Sequence, residues 1–142
     1  MQSLQRPDTR QVKFDESLWP IVVVQMPAAT LTDAELDALT ARVSSYYKRA
    51  TLFGFVLDVR LQADLPAHQR RRLAEQVDRD REQNPTVKCA MAIVLSSNTQ
   101  RGVFNVMGWL VRRPIPSRAC ATVNEAVSWL QEWLRSQMSD HP

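Results

Sequence analysis

Apolar residues along the chain follow two spacings: short runs, continuous or alternating, and a recurrence every three or four positions. The short runs predict β-strands, because a strand buried on both faces is apolar throughout and a half-buried strand at every second position. Such strands are predicted at residues 12–14, 21–24, 53–57, 89–95 and 118–121. The first two are expected to pair as an antiparallel hairpin, with residues 15–19 as their connection.

The longer recurrence predicts helices, and two of them begin with a capping sequence. Thr32 and Glu35 form a capping box, in which each side chain accepts a hydrogen bond from the other residue's backbone N–H. Thr122 and Glu125 repeat this box before the last helix. The four predicted helices begin at Thr32, at Pro66, at Ser97 or Asn98, and at Thr122. In the second helix, Leu73 and Val77 are expected to face inward and the charged residues to face solvent.

The predicted order is β-β-α-β-α-β-α-β-α, which indicates an α/β fold. Strands that alternate with helices imply right-handed crossovers, and therefore a mixed, mainly parallel five-stranded sheet packed with four helices. A chain of 142 residues has the commonest size of one domain. We predict a loose N-terminus at 1–9, a single domain at 10–136 and a frayed C-terminus at 137–142.

This order, in about this length, resembles the STAS domain, the fold of bacterial anti-sigma-factor antagonists. The finer resemblance is to a STAS-like branch of small, uncharacterised bacterial proteins, and it spans roughly residues 10–135. The segments that carry it are Phe55–Arg60, Gln69–Glu75, Arg101–Phe104 through Trp109–Leu110, and Val123–Leu130. The lipid-carrying CRAL-TRIO domain is related to STAS in shape. The resemblance therefore implies a regulatory binding module, with a small-ligand or lipid carrier as the alternative.

In the antagonists, a Ser or Thr at the start of the helix after the third strand is phosphorylated, and the added charge switches binding. The corresponding stretch here is Val59–Ala67, and no Ser or Thr occurs between Thr51 and Thr86. The usual phosphoswitch is therefore absent at its usual place. Asp64 could supply a standing negative charge there, although it also fits a residue that complements the helix dipole.

The candidate binding site lies on the predicted third helix. One face of this helix carries apolar residues, and a second face combines small, amide, aromatic and basic side chains. That second face comprises Arg101, Gly102, Asn105, Trp109, Arg112 and Arg113. An exposed Trp beside arginines is typical of an interface hot spot, so we expect a protein partner with an acidic surface and Trp109 as its anchor. Self-association through this face is a further alternative, and in the competing interpretation Trp109 folds against the sheet edge or under the last helix.

Charge is distributed unevenly along the chain, but it does not indicate nucleic acid. The net charge is +3, and no Asp or Glu occurs between Gln83 and Asn124. The Arg70–Arg72 run is followed in the same helix by acids that fit i,i+4 pairs, namely Arg71–Glu75 and Glu75–Arg79. No nucleic-acid-binding motif accompanies the run. Contact of the Arg101–Arg118 region with an anionic membrane surface is a weaker alternative.

The sequence contains few residues in arrangements that could support catalysis. We predict that the chain is not an enzyme and uses no metal or cofactor. His68 and His141 are its two histidines, and it has three glycines and no phosphate-binding loop. Asp58 ends a strand as a response-regulator phospho-acceptor does, but no acidic pair follows the earlier strand to hold Mg²⁺. Asp58 is instead expected to cap or pair locally, with Arg60 or an arginine of the second helix.

Two cysteines lie in apolar or small-residue runs and are expected to be buried, reduced thiols. Cys89 and Cys120 have no metal-ligand spacing. Reduced thiols are typical of the cytoplasm, and the sequence begins without an apolar targeting segment. We therefore predict a cytoplasmic protein.

Overall fold

The computed structural model describes residues 11–61, 66–96 and 115–139. Its elements are β1 (Lys13–Leu18), β2 (Ile21–Gln25), α1 (Asp33–Tyr46), β3 (Leu52–Asp58), α2 (Ala67–Gln83), β4 (Lys88–Val94), β5 (Ser117–Cys120) and α3 (Val123–Ser139). The sheet has the order β1-β2-β3-β4-β5, with β1 antiparallel to β2 and every other pair parallel. The predicted α/β architecture with a mixed, mainly parallel sheet is confirmed. Three of the four predicted helices are observed in the described ranges, and the predicted third helix lies outside them.

The β1–β2 hairpin is observed as predicted, but β1 is longer than the apolar pattern indicated. Residues predicted as the connection continue the strand to Leu18, and the chain turns at Trp19 and Pro20. The apolar pattern missed this extension because the inward residue after Phe14 is Glu16, a charged residue that α1 supplies with partners. The register is irregular between Asp15 and Leu18.

Helix α1 begins where its capping box predicts. The Glu35 N–H donates to Thr32 Oγ1 at 3.1 Å, and the Thr32 N–H donates to Glu35 Oε1 at 2.8 Å. The staple residues Leu31 and Leu36 are both buried, at 3% and 0% exposure. A box of this kind satisfies two backbone donors that the helix itself leaves unpaired, so it fixes where the helix starts.

One face of the sheet packs against a thick aromatic layer beneath α1. Tyr46 and Tyr47 from the end of α1 meet Phe53 of β3, with ring centroids 6.2 and 5.1 Å away. Phe55 and Trp19 extend the cluster on either side of Phe53. Large side chains therefore separate this helix from the sheet.

The opposite face packs closely against α3. Small residues on the sheet, among them Gly54, Ala90 and Ala92, are buried with Ala126 and Leu130 of the helix. A Cβ built on Gly54 would lie 2.9 Å from Leu130 Cδ2, so the Leu130 side chain would have to shift if any other residue replaced this glycine.

The second helix corrects two expectations. Leu73 is half-buried and packs against the core as predicted, but the fully buried positions are Gln69, Ala74 and Asp80. The charged face is also not simply solvated and self-paired: Arg72 forms an ion pair with Asp37 of α1. The physical reason is that α1 lies alongside α2 and presents polar partners to it, which a helical wheel of α2 alone does not reveal.

The last helix extends through Ser139, beyond the domain end predicted at 136. Two serine side chains in this last part of the helix bond to the backbone of the preceding turn: the Ser136 hydroxyl donates to the Trp133 carbonyl, and the Ser139 hydroxyl donates to the Arg135 carbonyl. At its start, the Glu125 N–H donates to Thr122 Oγ1 at 3.1 Å, while Glu125 Oε2 accepts from Ala121 rather than Thr122.

Candidate functional site

The predicted partner-binding residues all lie outside the described ranges. They are Arg101, Gly102, Asn105, Trp109, Arg112 and Arg113, and Asp64 lies outside as well. The described residues form four other polar or open features. These lie at the carboxyl edge of the sheet, between β1 and α1, between α1 and α2, and at the amino ends of β3 and β4.

At the carboxyl edge, Asp58 and Arg60 form a fixed ion pair. Asp58 ends β3, and its side chain is 4% exposed, against 39% for Arg60. Asp58 Oδ1 accepts from the backbone N–H and Nε of Arg60 at 3.1 and 3.0 Å, and Oδ2 accepts from Nη2 at 2.8 Å. The carboxylate raises the pKa of the Arg60 guanidinium. Asp58 therefore both caps and pairs locally, with Arg60 as predicted, and Arg60 presents a positive charge to solvent.

The start of α2 follows this edge. Pro66 is the N-cap residue and makes no side-chain capping bond, and the first turn of the helix contains no acidic residue. Gln69 is 2% exposed and donates from Nε2 to the Leu31 carbonyl at 2.7 Å. This bond fixes the orientation of the amide, and none of the residues that the structure describes donates a hydrogen bond to the buried Gln69 Oε1. Leaving a buried acceptor unpaired costs about 1–3 kcal/mol.

A cluster of arginines and aromatic rings joins β1 to α1. Glu16 Oε2 accepts from Arg42 Nη2 at 2.8 Å and from the Tyr46 hydroxyl at 2.7 Å, and Oε1 accepts from Arg49 Nη1 at 2.9 Å. These bonds, led by that from Arg42, hold the pKa of Glu16 down at about 2. The guanidinium of Arg42 lies over the Phe14 ring, 4.2 Å from its centroid.

A buried carboxylate lies between α1 and α2. Asp80 is 3% exposed, and its Oδ1 accepts from Ser44 Oγ at 2.8 Å and from Gln76 Nε2 at 2.9 Å. Burial raises the pKa of Asp80, and the bonds from Ser44 and Gln76 oppose that rise.

Asp80 belongs to a row of α2 residues that face α1. His68 Nε2 lies 3.5 Å from Asp33 Oδ1, and Arg72 pairs with Asp37 one turn further along. With Gln76 and Asp80, these α2 residues repeat at every fourth position. That repeat was the available sequence signal for a polar helix–helix contact, and the solvated-face interpretation missed it.

The two cysteines are buried free thiols, as predicted. The Tyr47 hydroxyl and Cys89 Sγ form a hydrogen bond of 3.1 Å. Burial is the main cause that raises the pKa of both Cys89 and Cys120. Nucleophilic cysteines need a lowered pKa, so these thiols have the properties of core residues.

A cavity of about 420 Å³ opens at the amino ends of β3 and β4, next to the end of α3. It is lined by Thr51, Leu52, Thr86, Lys88, Gln137 and Met138. Its lining combines polar side chains with Leu52 and Met138, and apolar atoms contribute the larger share of the lining.

No group of three or more His, Cys, Asp or Glu side chains within the described ranges could hold a metal ion. Among the helices that the structure describes, none is long and apolar enough to cross a membrane.

Comparison with solved structures identifies the fold. The anti-sigma factor antagonist SpoIIAA in its unphosphorylated form matches with a TM-score of 0.59 and 15% identity, covering 84% of this chain and 97% of that chain. A DUF3478-family protein with a SpoIIAA-like fold from Shewanella loihica PV-4 matches with a TM-score of 0.58 and 15% identity, covering 84% and 91%. A STAS domain protein from Planctomyces limnophilus matches with a TM-score of 0.56 and 14% identity, covering 84% and 97%.

No family model and no curated protein sequence matches the chain. The three structures share its fold at low identity, so they establish architecture rather than activity. The chain has a STAS-like fold, as its order of elements predicted.

Proposed function

We propose that this chain is a non-catalytic regulatory or scaffolding module that binds a partner protein without a phosphoswitch at the usual STAS position. The observation that carries the proposal is the Asp58–Arg60 pair after β3. The antagonists have a phosphorylated hydroxyl at the start of the helix after the third strand, whereas this chain has no Ser or Thr between Thr51 and Thr86, and three hydrogen bonds join Asp58 at the end of β3 to Arg60. Without a phosphorylatable hydroxyl at this place, the charge of the surface stays the same at all times, which fits constitutive rather than switched binding.

The proposed contact surface is the basic, Trp-containing face of residues 101–113. Trp109 is its anchor, and Arg101, Arg112 and Arg113 supply charge for an acidic partner surface. At the carboxyl edge of the sheet, Arg60 and Leu61 are an exposed basic and an exposed apolar side chain, with Leu61 at 42% exposure. A second copy of the chain is the alternative partner.

We place this function in the cytoplasm, which the two buried free thiols support. The competing function is a small-ligand or lipid carrier. It is less well supported, because the cavity at Leu52 and Met138 opens at the amino ends of β3 and β4. Ligands of open α/β sheets bind at the carboxyl ends of the strands.

The test is a pull-down from native cell extract with wild type and with Trp109→Ala/Arg112→Ala as baits. We expect wild type to retain one protein that the double variant loses, because interface Trp and Arg residues carry most of the binding energy. Arg71→Ala/Arg135→Ala is the control, since it removes exposed arginines from α2 and α3. Thermal unfolding first establishes that each variant is folded.

Equal capture by all three baits would refute the 101–113 surface. Capture of lipid or a small molecule in place of protein would support the carrier function instead. If the captured protein is the chain itself, the surface mediates self-association, and a dimer interface should bury about 1,200 Å² or more.

A further inference from the structure

Helix α2 is attached to the molecule in a different way from α3. The backbone of α2 runs close to α1, whereas the backbone of α3 runs close to β3, β4 and β5. The crossover from β3 to β4 places α2 on the same face of the sheet as α1, where Leu73 packs against the core. The docking of α2 therefore depends on its contact with α1 and on the side chains that it sends into the core.

The contact between α1 and α2 is made by polar side chains. His68 lies 3.5 Å from Asp33, and the two side chains are 66% and 68% exposed. Arg72 pairs with Asp37, and these side chains are 43% and 56% exposed. Water screens ion pairs as exposed as these, so they contribute little to holding the two helices together.

The fully buried positions of α2 also stabilise its docking weakly. They are Gln69, Ala74 and Asp80, whereas α3 buries Leu130 and Leu134. Burial of apolar surface is the main force that holds a helix on a core, and Ala74 supplies only a methyl group. Among the described residues, none donates a hydrogen bond to Gln69 Oε1, so docking costs this acceptor its bond to water.

The buried carboxylate of Asp80 adds a second cost. It accepts hydrogen bonds from Ser44 of α1 and Gln76 of α2, which are both uncharged. Arg79 and Lys48 are the cations that act on it, and within the described ranges neither forms an ion pair with it. Release of α2 from α1 returns this carboxylate to water, which offsets part of the contact energy that is lost.

We propose that α2 opens as one unit while α1, the sheet and α3 stay folded, so that α2 is a displaceable cover over one face of the sheet. The opening uncovers this face of β3 and β4, where Phe55 is 7% and Cys89 is 3% exposed in the closed form. Elements that move in regulation are drawn from the least stable parts of a fold. The costs at Gln69 and Asp80 place α2 in that class.

The first test is native-state hydrogen exchange of the whole chain, followed amide by amide by NMR. We expect residues 72–83 to share one protection factor, about tenfold or more below those of α1 and α3, because a single unpaired buried acceptor destabilises docking by that order. Low concentrations of denaturant should change the exchange of α2 little, since opening one helix exposes a small surface.

Two variants with opposite expected effects test the cause. Asp80→Asn should raise the protection of α2 by about three- to tenfold and leave α1 and α3 unchanged, because the closed form no longer buries a charge. Leu73→Ala should lower the protection of α2 alone by about tenfold, because it removes a half-buried apolar side chain. Glu75→Gln is the matched control, since Glu75 is an exposed acid of α2 and its replacement should change nothing.

The second test follows the thiol on the covered face. Cys120→Ala leaves Cys89 as the chain's single thiol, and Asp80 and Arg81 at the end of α2 act electrostatically on this thiol. A thiol reagent should label Cys89 at a rate set by the opening of α2. Addition of Asp80→Asn should slow the labelling by the same factor as it slows the exchange of α2.

Equal protection of all three helices would overturn the proposal, because α2 would then open only when the whole molecule unfolds. A change of protection in Asp80→Asn that is equal in α1, α2 and α3 would also overturn it, as would labelling of Cys89 no faster than global unfolding. None of these outcomes involves residues 101–113, so the result is distinguishable from failure of the proposed function.

Discussion

Asp80 is an acidic residue in a buried environment. Its carboxylate is buried between α1 and α2, and its hydrogen-bonding partners Ser44 and Gln76 are both uncharged. Uncharged donors compensate only part of the cost of removing a charge from water, which is why its pKa is raised. The folded protein is therefore more stable when Asp80 is protonated than when it is a charged carboxylate.

We predict that Asp80→Asn stabilises the protein at neutral pH. A carboxyl whose pKa rises on folding contributes stability below its unfolded pKa, usually 3.8, and loses that contribution as pH rises through the folded value. The amide keeps an acceptor for Ser44 and Gln76 and carries no charge at any pH. Denaturant unfolding should show a gain at pH ~7 that disappears in acid.

Glu75→Gln is the control for this prediction, since Glu75 is an exposed acid on the same helix. A loss of stability in Asp80→Asn at neutral pH, with Glu75→Gln unchanged, would mean that the charge itself holds α1 and α2 together.

Residues such as Asp80 and Gln69 mark the limit of what the sequence predicted at this scale. An apolar residue at helical spacing predicts its own burial, so the burial of Leu36, Leu39 and Tyr46 in α1 was predictable. A polar residue is buried only because another element supplies its partner, as Leu31 does for Gln69. That information lies in the packing of two helices and not in the pattern of one.

Between elements, Glu16 fastens the β1–β2 hairpin to α1. Arg42, Tyr46 and Arg49 all donate to it, and these bonds lower its pKa to about 2 from the usual 4.5. A carboxyl with a lowered pKa contributes stability above its unfolded pKa and loses it as pH falls through the folded value. The hairpin should therefore loosen in acid.

We predict that Glu16→Gln is less stable than wild type at neutral pH and loses less stability between pH 4.5 and 2. The amide cannot form either ion pair, so it lacks the acid-sensitive part of the contact. Denaturant unfolding at a series of pH values measures both effects, with Glu132→Gln on the exposed face of α3 as the control. Parallel pH profiles of wild type and Glu16→Gln would contradict this role.

The close contact of α3 with the sheet gives a second prediction at this scale. Gly54→Val should destabilise the fold by roughly 1–3 kcal/mol, since added atoms meet a packed core. The contact is with Leu130 Cδ2, 2.9 Å from a Cβ at Gly54. Valine favours strands, so propensity alone predicts the opposite sign.

A double-mutant cycle with Leu130→Ala identifies the cause. If overpacking is responsible, the double variant is more stable than the sum of the two single losses predicts. Additive losses would mean that the glycine has another role.

Across the whole molecule, the sequence was sufficient to predict the architecture. For the partner-binding face of residues 101–113, it gave only a hypothesis. Alternating strands and helices were enough for the mixed sheet, because each strand run was apolar and the Thr32 box marked its helix. The length of β1 was not predictable, since Glu16 faces inward with partners from α1. The residues of the proposed docking face lie outside the described ranges, so that face remains a proposal.

The molecule as a whole has buried, high-pKa thiols and an ion pair, not a hydroxyl, after β3. The function that we propose for this fold is recognition of a partner through a fixed surface. The most direct test is hydrogen exchange of the protein alone and with its captured partner. The account predicts slowed exchange in peptides that cover residues 101–113, with little change across α3. Slowed exchange confined to α3, or unchanged exchange across 101–113, would contradict it.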